Sequence, residues 1–346
     1  MKNWITRLLG GSPARDEARN KARAAAQPAR PAPDPGVGAP AAAAGTDLDA
    51  ARALDLAFYR WLAGSARSEA PPAREALILG ELARLGHAPA QAAALVPRVP
   101  AVVPELLRSL RDERISGADL ARMVAQDVVL VGEVIREANS SWYRPPTPVR
   151  TIEGALMLLG RNGLRMLLAR VAFRPVIKLQ GGRFAAQAAP QVWSQSEKCA
   201  FAASTLAPSF GADPFEAYLA GLVQNVGLVV ALRVIDQVEV GETLPDSPAF
   251  ALGLLAHARR LSHGIALHWQ FPENVAGAIL EGARRGDDAN ASPLARVLAT
   301  GDRLAKLRLL EDAGAVPGDD PLLSAIVGTR LRPCYDQLRP RPTEEG

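Results

Sequence analysis

The chain has 346 residues, 48% of them hydrophobic and only 5% aromatic, with a formal net charge of +4. That length admits one large domain or two moderate ones with tails, and a core of Leu, Ala and Val favours helices over a β-sandwich. Two cysteines, Cys199 and Cys334, stand far apart and outside any CxxC, which excludes a disulfide framework and a cysteine-built zinc site and fits a reducing compartment. The charge is unevenly spread. Residues 1–33 hold seven basic side chains against Asp16 and Glu17, a surplus of five that leaves −1 for the remainder. The folded part is therefore not expected to present a nucleic-acid-binding face, although the tail could touch an anionic partner. The start is too short and interrupted for a secretory signal. No uncharged apolar run approaches the roughly 20 residues a membrane span needs. A cytoplasmic protein with no transmembrane segment is expected.

In chain order, Trp4, Ile5, Leu8 and Leu9 lie opposite Lys2 and Arg7, a segment that reads as a weak membrane or partner anchor or as a frayed terminus. Ala24 to Gly45 is Ala-, Pro- and Gly-rich, so residues 1–45 are expected to be a disordered basic tail. Thr46 is the candidate N-cap of a first helix, with Leu54, Phe58, Trp61 and Leu62 on one face and Gly64 as its stop. A second helix covers Arg74 to Leu85, and the pair makes an N-terminal unit over 46–94. Pro97, Pro100 and Pro104 punctuate the entry to the main domain. Val103, Leu106, Leu107 and Leu110 then fall at helical spacing. Ser116 and Asp127 are caps for the next two helices, and Thr151 caps one that runs to Gly160. Leu164, Leu167, Leu168 and Val171 begin another. No period-two alternation interrupts this pattern, so the fold is expected to be all-α.

The odd stretch is Tyr218 to Leu232, an apolar run interrupted by Gln224-Asn225 and flanked by Gly221 and Gly227. Buried amides add donors and acceptors that must find partners. They are either satisfied structural groups or the remains of a polar site. Beyond it, Leu294, Val297, Leu298, Leu304 and Leu307 suggest a helix that packs back on the domain, and Leu322, Leu323, Ile326 and Val327 another. Residues 286–346 form this C-terminal part, ending in a charged tail from Arg339.

An ordered set of short motifs resembles the bacterial HDOD family, a branch of the HD phosphohydrolase superfamily. It comprises Val96-Pro-x-x-Pro100, Ile115-Ser116-x-x-x-Leu120-Ala121, Asp127, Ala138-Asn139-Ser140, Thr151-Ile152-x-x-Ala155 and Leu158-Leu159-Gly160. It continues with Val192-Trp193-x-x-Ser196, Ala220-Gly221-Leu222-x-x-x-x-Gly227 and Trp269-x-x-Pro272, and spans residues 95–285. The resemblance implies a helical HD-like domain. In the superfamily's enzymes, His and Asp side chains hold one or two metals that activate water and clamp phosphate. The resemblance places the superfamily's early His near Gln195 and its His-Asp doublet on Gln224-Asn225, and related proteins that act on cyclic dinucleotides carry a later His pair where this chain has Gly282 and Ala283. Amides are poor ligands for a hydrolytic metal, so these positions read as a degenerate site with no catalytic residues, no metal and no cofactor.

The four histidines, His87, His257, His263 and His268, include no i, i+4 pair to rebuild it. Phosphate loops and nucleophile elbows are absent. Cys199 reads as an inert buried thiol. Asn139 and Ser140 read as a polar knot at a helix end, with a ligand role as the alternative. The resemblance implies a non-catalytic signal-transduction or regulatory module that binds a protein partner or small ligand, with a link to cyclic-di-GMP networks. The alternative is a divergent metal-dependent phosphohydrolase or phosphodiesterase. A nucleic-acid binder driven by the tail is a third reading.

Overall fold

The computed structural model describes residues 41–64, 67–96, 114–125, 128–140, 143, 145–177, 182–238, 243–285 and 290–339. The expectations for residues 2–9, 103–110, Asp127 and the tail beyond Arg339 lie outside them. The N-terminal helices are α1 (Ala41–Ala63), α2 (Pro72–Gly86) and α3 (Pro89–Ala94). Next come α4 (Gly117–Val124), α5 (Val128–Ala138) and α6 (Ile152–Ile177). The centre holds α7 (Arg183–Phe210), α8 (Pro214–Val223), α9 (Val226–Gln237) and α10 (Pro248–His268). The chain closes with α11 (Glu273–Arg285), α12 (Pro293–Asp312) and α13 (Pro321–Gln337). Among the described residues, strand structure is limited to β1 (Arg67–Ser68) paired in parallel with β2 (Leu244–Pro245). The fold is all-α, as the missing period-two pattern requires.

The expected boundaries hold where local chemistry is explicit. Ser116 and Asp119 form both halves of a capping box at the start of α4. Thr151 Oγ1 accepts the Gly154 N–H at the start of α6. Gly160 adopts φ 66° and splits α6 into the two helices expected on either side of it. Thr46, by contrast, lies inside α1 rather than at its start, because the helix already begins at Ala41. The alanines at 41–44 are the strongest helix formers and carry the helix back past the polar signal.

Helix α7 runs through the middle, packed most extensively on α12 and α8, while α9 rests on α10, and α10 on α11 and α2. Its N-terminus is secured from α9, where the Asp236 carboxylate accepts the N–H groups of Phe184 and Ala185. The Pro214–Gln237 stretch is long and apolar enough by composition to cross a membrane, more so than expected. It is two helices rather than one, and 94% of its most apolar window is buried in the fold. Its hydrophobicity is that of a core.

Close backbone approach explains the glycines around the amide pair. A Cβ on Gly221 would stand 2.5 Å from Ala200 Cα of α7. One on Gly227 would overlap the Ala258 carbonyl of α10. Only glycine lets α8 and α9 lie this near their neighbours.

Candidate functional site

Gln224 and Asn225 stand where α8 ends and α9 begins. Gln224 closes α8, its N–H donating to the Ala220 carbonyl. Asn225 departs from helical geometry (φ −102°, ψ 4°), and its carbonyl accepts from Leu228 and Val229. A buried helix junction leaves backbone donors and acceptors without helical partners. Ser262 of α10 supplies them here, accepting the Gly227 N–H at 2.8 Å and donating to the Gln224 carbonyl at 2.6 Å.

The side chains of the junction enter a network built from five parts of the chain. Asn225 Nδ2 donates to Gln195 Oε1 and, at 3.1 Å, to Ser196 Oγ of α7. Gln195 Nε2 donates to Asp302 Oδ1 of α12 at 2.5 Å. Gln224 Nε2 reaches the same oxygen at 3.2 Å and also Cys199 Sγ, while Gln224 Oε1 accepts from Arg259 of α10. Thus Gln195, Gln224 and Asn225, dispersed in sequence, meet in one buried cluster.

Asp302 is the hub. Arg259 stands 2.8 Å from its Oδ1 and Lys306 2.7 Å from its Oδ2. Lys306 also pairs with Asp55 of α1 at 2.6 Å. Burial opposes the charge of Asp302, but Arg259 and Lys306 outweigh it and hold the carboxyl well below the ordinary carboxylate range. Burial likewise opposes the charge of Lys306, and Asp302 with Asp55 more than compensates, raising its pKa. The Cys199 thiol is pushed well up, first by burial and then by the nearby Asp302 charge. It stays neutral and unreactive at this depth.

This donor set does not match a hydrolytic metal centre. Such centres use imidazole nitrogens and carboxylates, and among the described residues no group of three His, Cys, Asp or Glu side chains could hold an ion. The carboxylate present is already neutralised by two cations of the chain, which would repel a third. Gln195 and Asn225 turn amide nitrogens, not oxygens, toward their acceptors Asp302 and Ser196. Elsewhere, His263 Nδ1 faces the Ala276 carbonyl at 2.9 Å, and burial followed by Arg260 lowers the His257 pKa. Gly282 lies on α11 against Ala295 of α12.

Asn139 and Ser140 belong to a different place. Asn139, just past α5, donates to the Ile135 and Val149 carbonyls at 2.9 and 2.7 Å and accepts the Val149 N–H at 2.7 Å. Ser140 Oγ is buried without a hydrogen-bond partner among the described residues. Nearby, Glu137 of α5 pairs with Arg170 and Arg174 of α6, and Arg170 with Glu197 of α7.

The motif reading missed Asp302, Lys306, Arg259 and Asp55. The sequence did hold a signal for the first two. Asp302 follows Leu298 by one helical turn and Lys306 by two, which puts two opposite charges on an apolar stripe. Arg259 and Asp55 had no such mark, because a single charge on an amphipathic helix normally faces water. Cys199 lies one turn after Gln195 on the inner face of α7.

Comparison with known proteins fits this geometry. A family model for the HDOD domain matches residues 96–283. The fold is similar to that of an HDOD domain protein with unknown function from Geobacter sulfurreducens, at 22% identity and a TM-score of 0.52, covering 70% of this chain and 83% of that one. It is also similar to a candidate phosphohydrolase from Shewanella amazonensis, at 23% identity and a TM-score of 0.53, covering 72% and 93%. A candidate metal-dependent phosphohydrolase from the same organism matches at 18% identity and a TM-score of 0.53, covering 77% and 98%. Likeness at such identities concerns the fold alone. An uncharacterized protein of Treponema pallidum is 22% identical over 193 residues, 53% of this chain and 37% of that one, so the chain spans little more than a third of that relative's length.

Proposed function

The chain belongs to the HDOD family, and on that premise we propose that it acts as a non-catalytic signalling module. It would work by binding a protein partner or a small ligand. The observation that carries this reading is the state of Asp302. In a metal-dependent hydrolase, a carboxylate at the centre of the site is kept for the ion. Here it is balanced by Arg259 and Lys306 and hydrogen-bonded to Gln195 and Gln224, and the family resemblance sets Gln195, Gln224 and Asn225 at or near the positions of the superfamily's His and Asp. The framework around the amides is intact, down to the close approaches at Gly221 and Gly227. A fold kept without its ligand chemistry fits a role in recognition. The family resemblance points this recognition toward bacterial regulatory networks, those using cyclic-di-GMP among them.

A divergent phosphohydrolase is the second reading, favoured by the buried carboxylate of Asp302 and the two Shewanella neighbours. The deciding experiment combines metal analysis with hydrolysis of bis(p-nitrophenyl) phosphate, on the wild type and on a Gln224→His/Asn225→Asp double variant. Both proteins should hold no stoichiometric Mn or Fe and turn over no substrate, because Gln195 and the two cations remain. Stoichiometric metal with turnover that is lost in Asp302→Asn would overturn the proposal. Affinity capture and cyclic-di-GMP titration on the same preparation would then address the partner.

A further inference from the structure

The polar cluster does not end within the matched domain. Lys306 Nζ lies between two carboxylates, Asp302 at 2.7 Å and Asp55 at 2.6 Å. Asp55 sits on α1, outside residues 96–283, and Lys306 on α12, equally outside. The Lys306 ammonium also lies 5.4 Å from the ring centre of Phe58, one turn beyond Asp55 on the same face of α1. Exposure is concentrated at one end of this chain of charges. The side chain of Asp55 is 35% exposed, while Asp302 is at 13% and Lys306 at 6%. The network therefore meets solvent at Asp55.

Helix α1 is seated on the domain by a buried face of Leu54, Phe58, Tyr59 and Leu62, of which Phe58 faces Lys306 while Tyr59 and Leu62 lie by Phe184, Leu228, Leu232 and Leu254. Its far end is tied down by the Tyr59 hydroxyl, which donates to the Pro245 carbonyl, and by the Arg60–Asp246 pair at 3.4 Å. The middle of the helix is fixed to the cluster through Asp55.

We infer that α1 is a lid on the polar cluster and that the Asp55–Lys306 pair is its latch. The lid keeps the Arg259–Asp302–Lys306 ions away from water and from soluble ligands. Loss of the latch opens the cluster without unfolding the domain. The inference rests on the geometry alone and holds whether or not the cluster has catalytic power.

Cys199 provides the reporter, because its Sγ touches Gln224 inside the cluster, while Cys334 is buried on α13 and serves as an internal reference. The full chain is alkylated with iodoacetamide under native conditions, and both sites are followed by peptide mass spectrometry. Asp55→Asn should speed Cys199 alkylation at least about tenfold with the Cys334 rate unchanged, a ratio that corresponds to about 1.4 kcal/mol of opening free energy. Asp55→Glu should stay near the wild-type rate. Lys306→Met should raise the Cys199 to Cys334 ratio as Asp55→Asn does. If Lys306→Met fails to fold, the half-exposed Asp55 position still decides the matter. Equal Cys199 rates in wild type and Asp55→Asn, or a rise matched at Cys334, would overturn the inference.

Discussion

Two buried polar regions hold this molecule's helices together, and they differ in how charge is distributed. Around Asp302, one carboxylate serves two cations, Arg259 and Lys306, and two amide nitrogens besides. Around Arg170, the ions alternate. Glu137 meets Arg170 and Arg174, and Arg170 meets both Glu137 and Glu197. Burial pushes Glu197 up and Arg170 draws it back only in part. Burial also carries the Tyr143 hydroxyl up to about 12. The lesson concerns redundancy. In the second region Arg170 and Glu137 each have two opposite partners, so the loss of Glu197 still leaves Arg170 paired with Glu137, whereas in the first the loss of Asp302 leaves Arg259 with none among its described ion pairs.

The largest effect is therefore expected at the hub. Asp302→Asn leaves two cations facing each other in the core and should cost about 3–5 kcal/mol. Glu197→Gln, which leaves Arg170 its pair with Glu137, should cost about 1–3 kcal/mol. Denaturant unfolding of both variants measures the gap, and equal losses would refute the redundancy argument. Acid sharpens it. The folded-state pKa of Asp302 is depressed, so its contribution is fully present above the unfolded value near about 3.9 and is lost as pH falls toward the folded one. The stability difference between wild type and Asp302→Asn should therefore shrink below about pH 4, by up to about 1.4 kcal/mol per pH unit. A difference constant from pH 6 to pH 2.5 would show that Asp302 is not ionised as described.

The same contrast explains what could be read in the sequence. Caps such as Ser116 and Thr151 and the break at Gly160 are local, and their chemistry is written in adjacent residues. The Gln224-Asn225 pair was visible as polarity in an apolar run, and its flanking glycines marked close packing. The ions that complete the cluster were not visible. Asp55 and Lys306 are 251 residues apart, and Arg259 lies on a third helix. Nothing in a single helix tells whether its lone charge faces water or a distant partner. The start of α1 was misplaced for the opposite reason. A good capping residue, Thr46, was present, but the alanines before it favour helix more strongly than Thr46 favours a start.

A smaller effect separates the backbone of the amide junction from that of an ordinary helix start. Gly227→Ala must push α9 away from the Ala258 carbonyl and should destabilise by about 1–3 kcal/mol through overpacking. Gly154, at the start of α6 beside Val149, has room for a methyl group, its nearest neighbour being Thr151 Oγ1 at 3.5 Å. Gly154→Ala should be neutral or stabilise by up to about 1 kcal/mol, as expected when alanine replaces glycine within a helix. Thermal unfolding of the pair tests whether close approach is confined to the amide junction, and a neutral Gly227→Ala would show that α9 and α10 can separate freely.

The smallest effect tests whether the knot after α5 is structural. Asn139 satisfies both backbone groups of Val149 and one carbonyl of its own helix, in a partly exposed setting where water can replace part of what is lost. Asn139→Ala should therefore cost about 1–2 kcal/mol, less than any change at Asp302. Asn139→Asp separates the roles of its two ends. The carboxylate can still accept the Val149 N–H, but it cannot donate to the two carbonyls and places negative charge beside them. If the side chain works only as a staple, Asp should be no better than Ala, and hydrogen exchange should rise locally at Val149 with the Asp302 cluster unaffected. Exchange that also rises at Gly227 would mean the two polar regions are coupled through α7, the helix they share through Gln195 and Glu197.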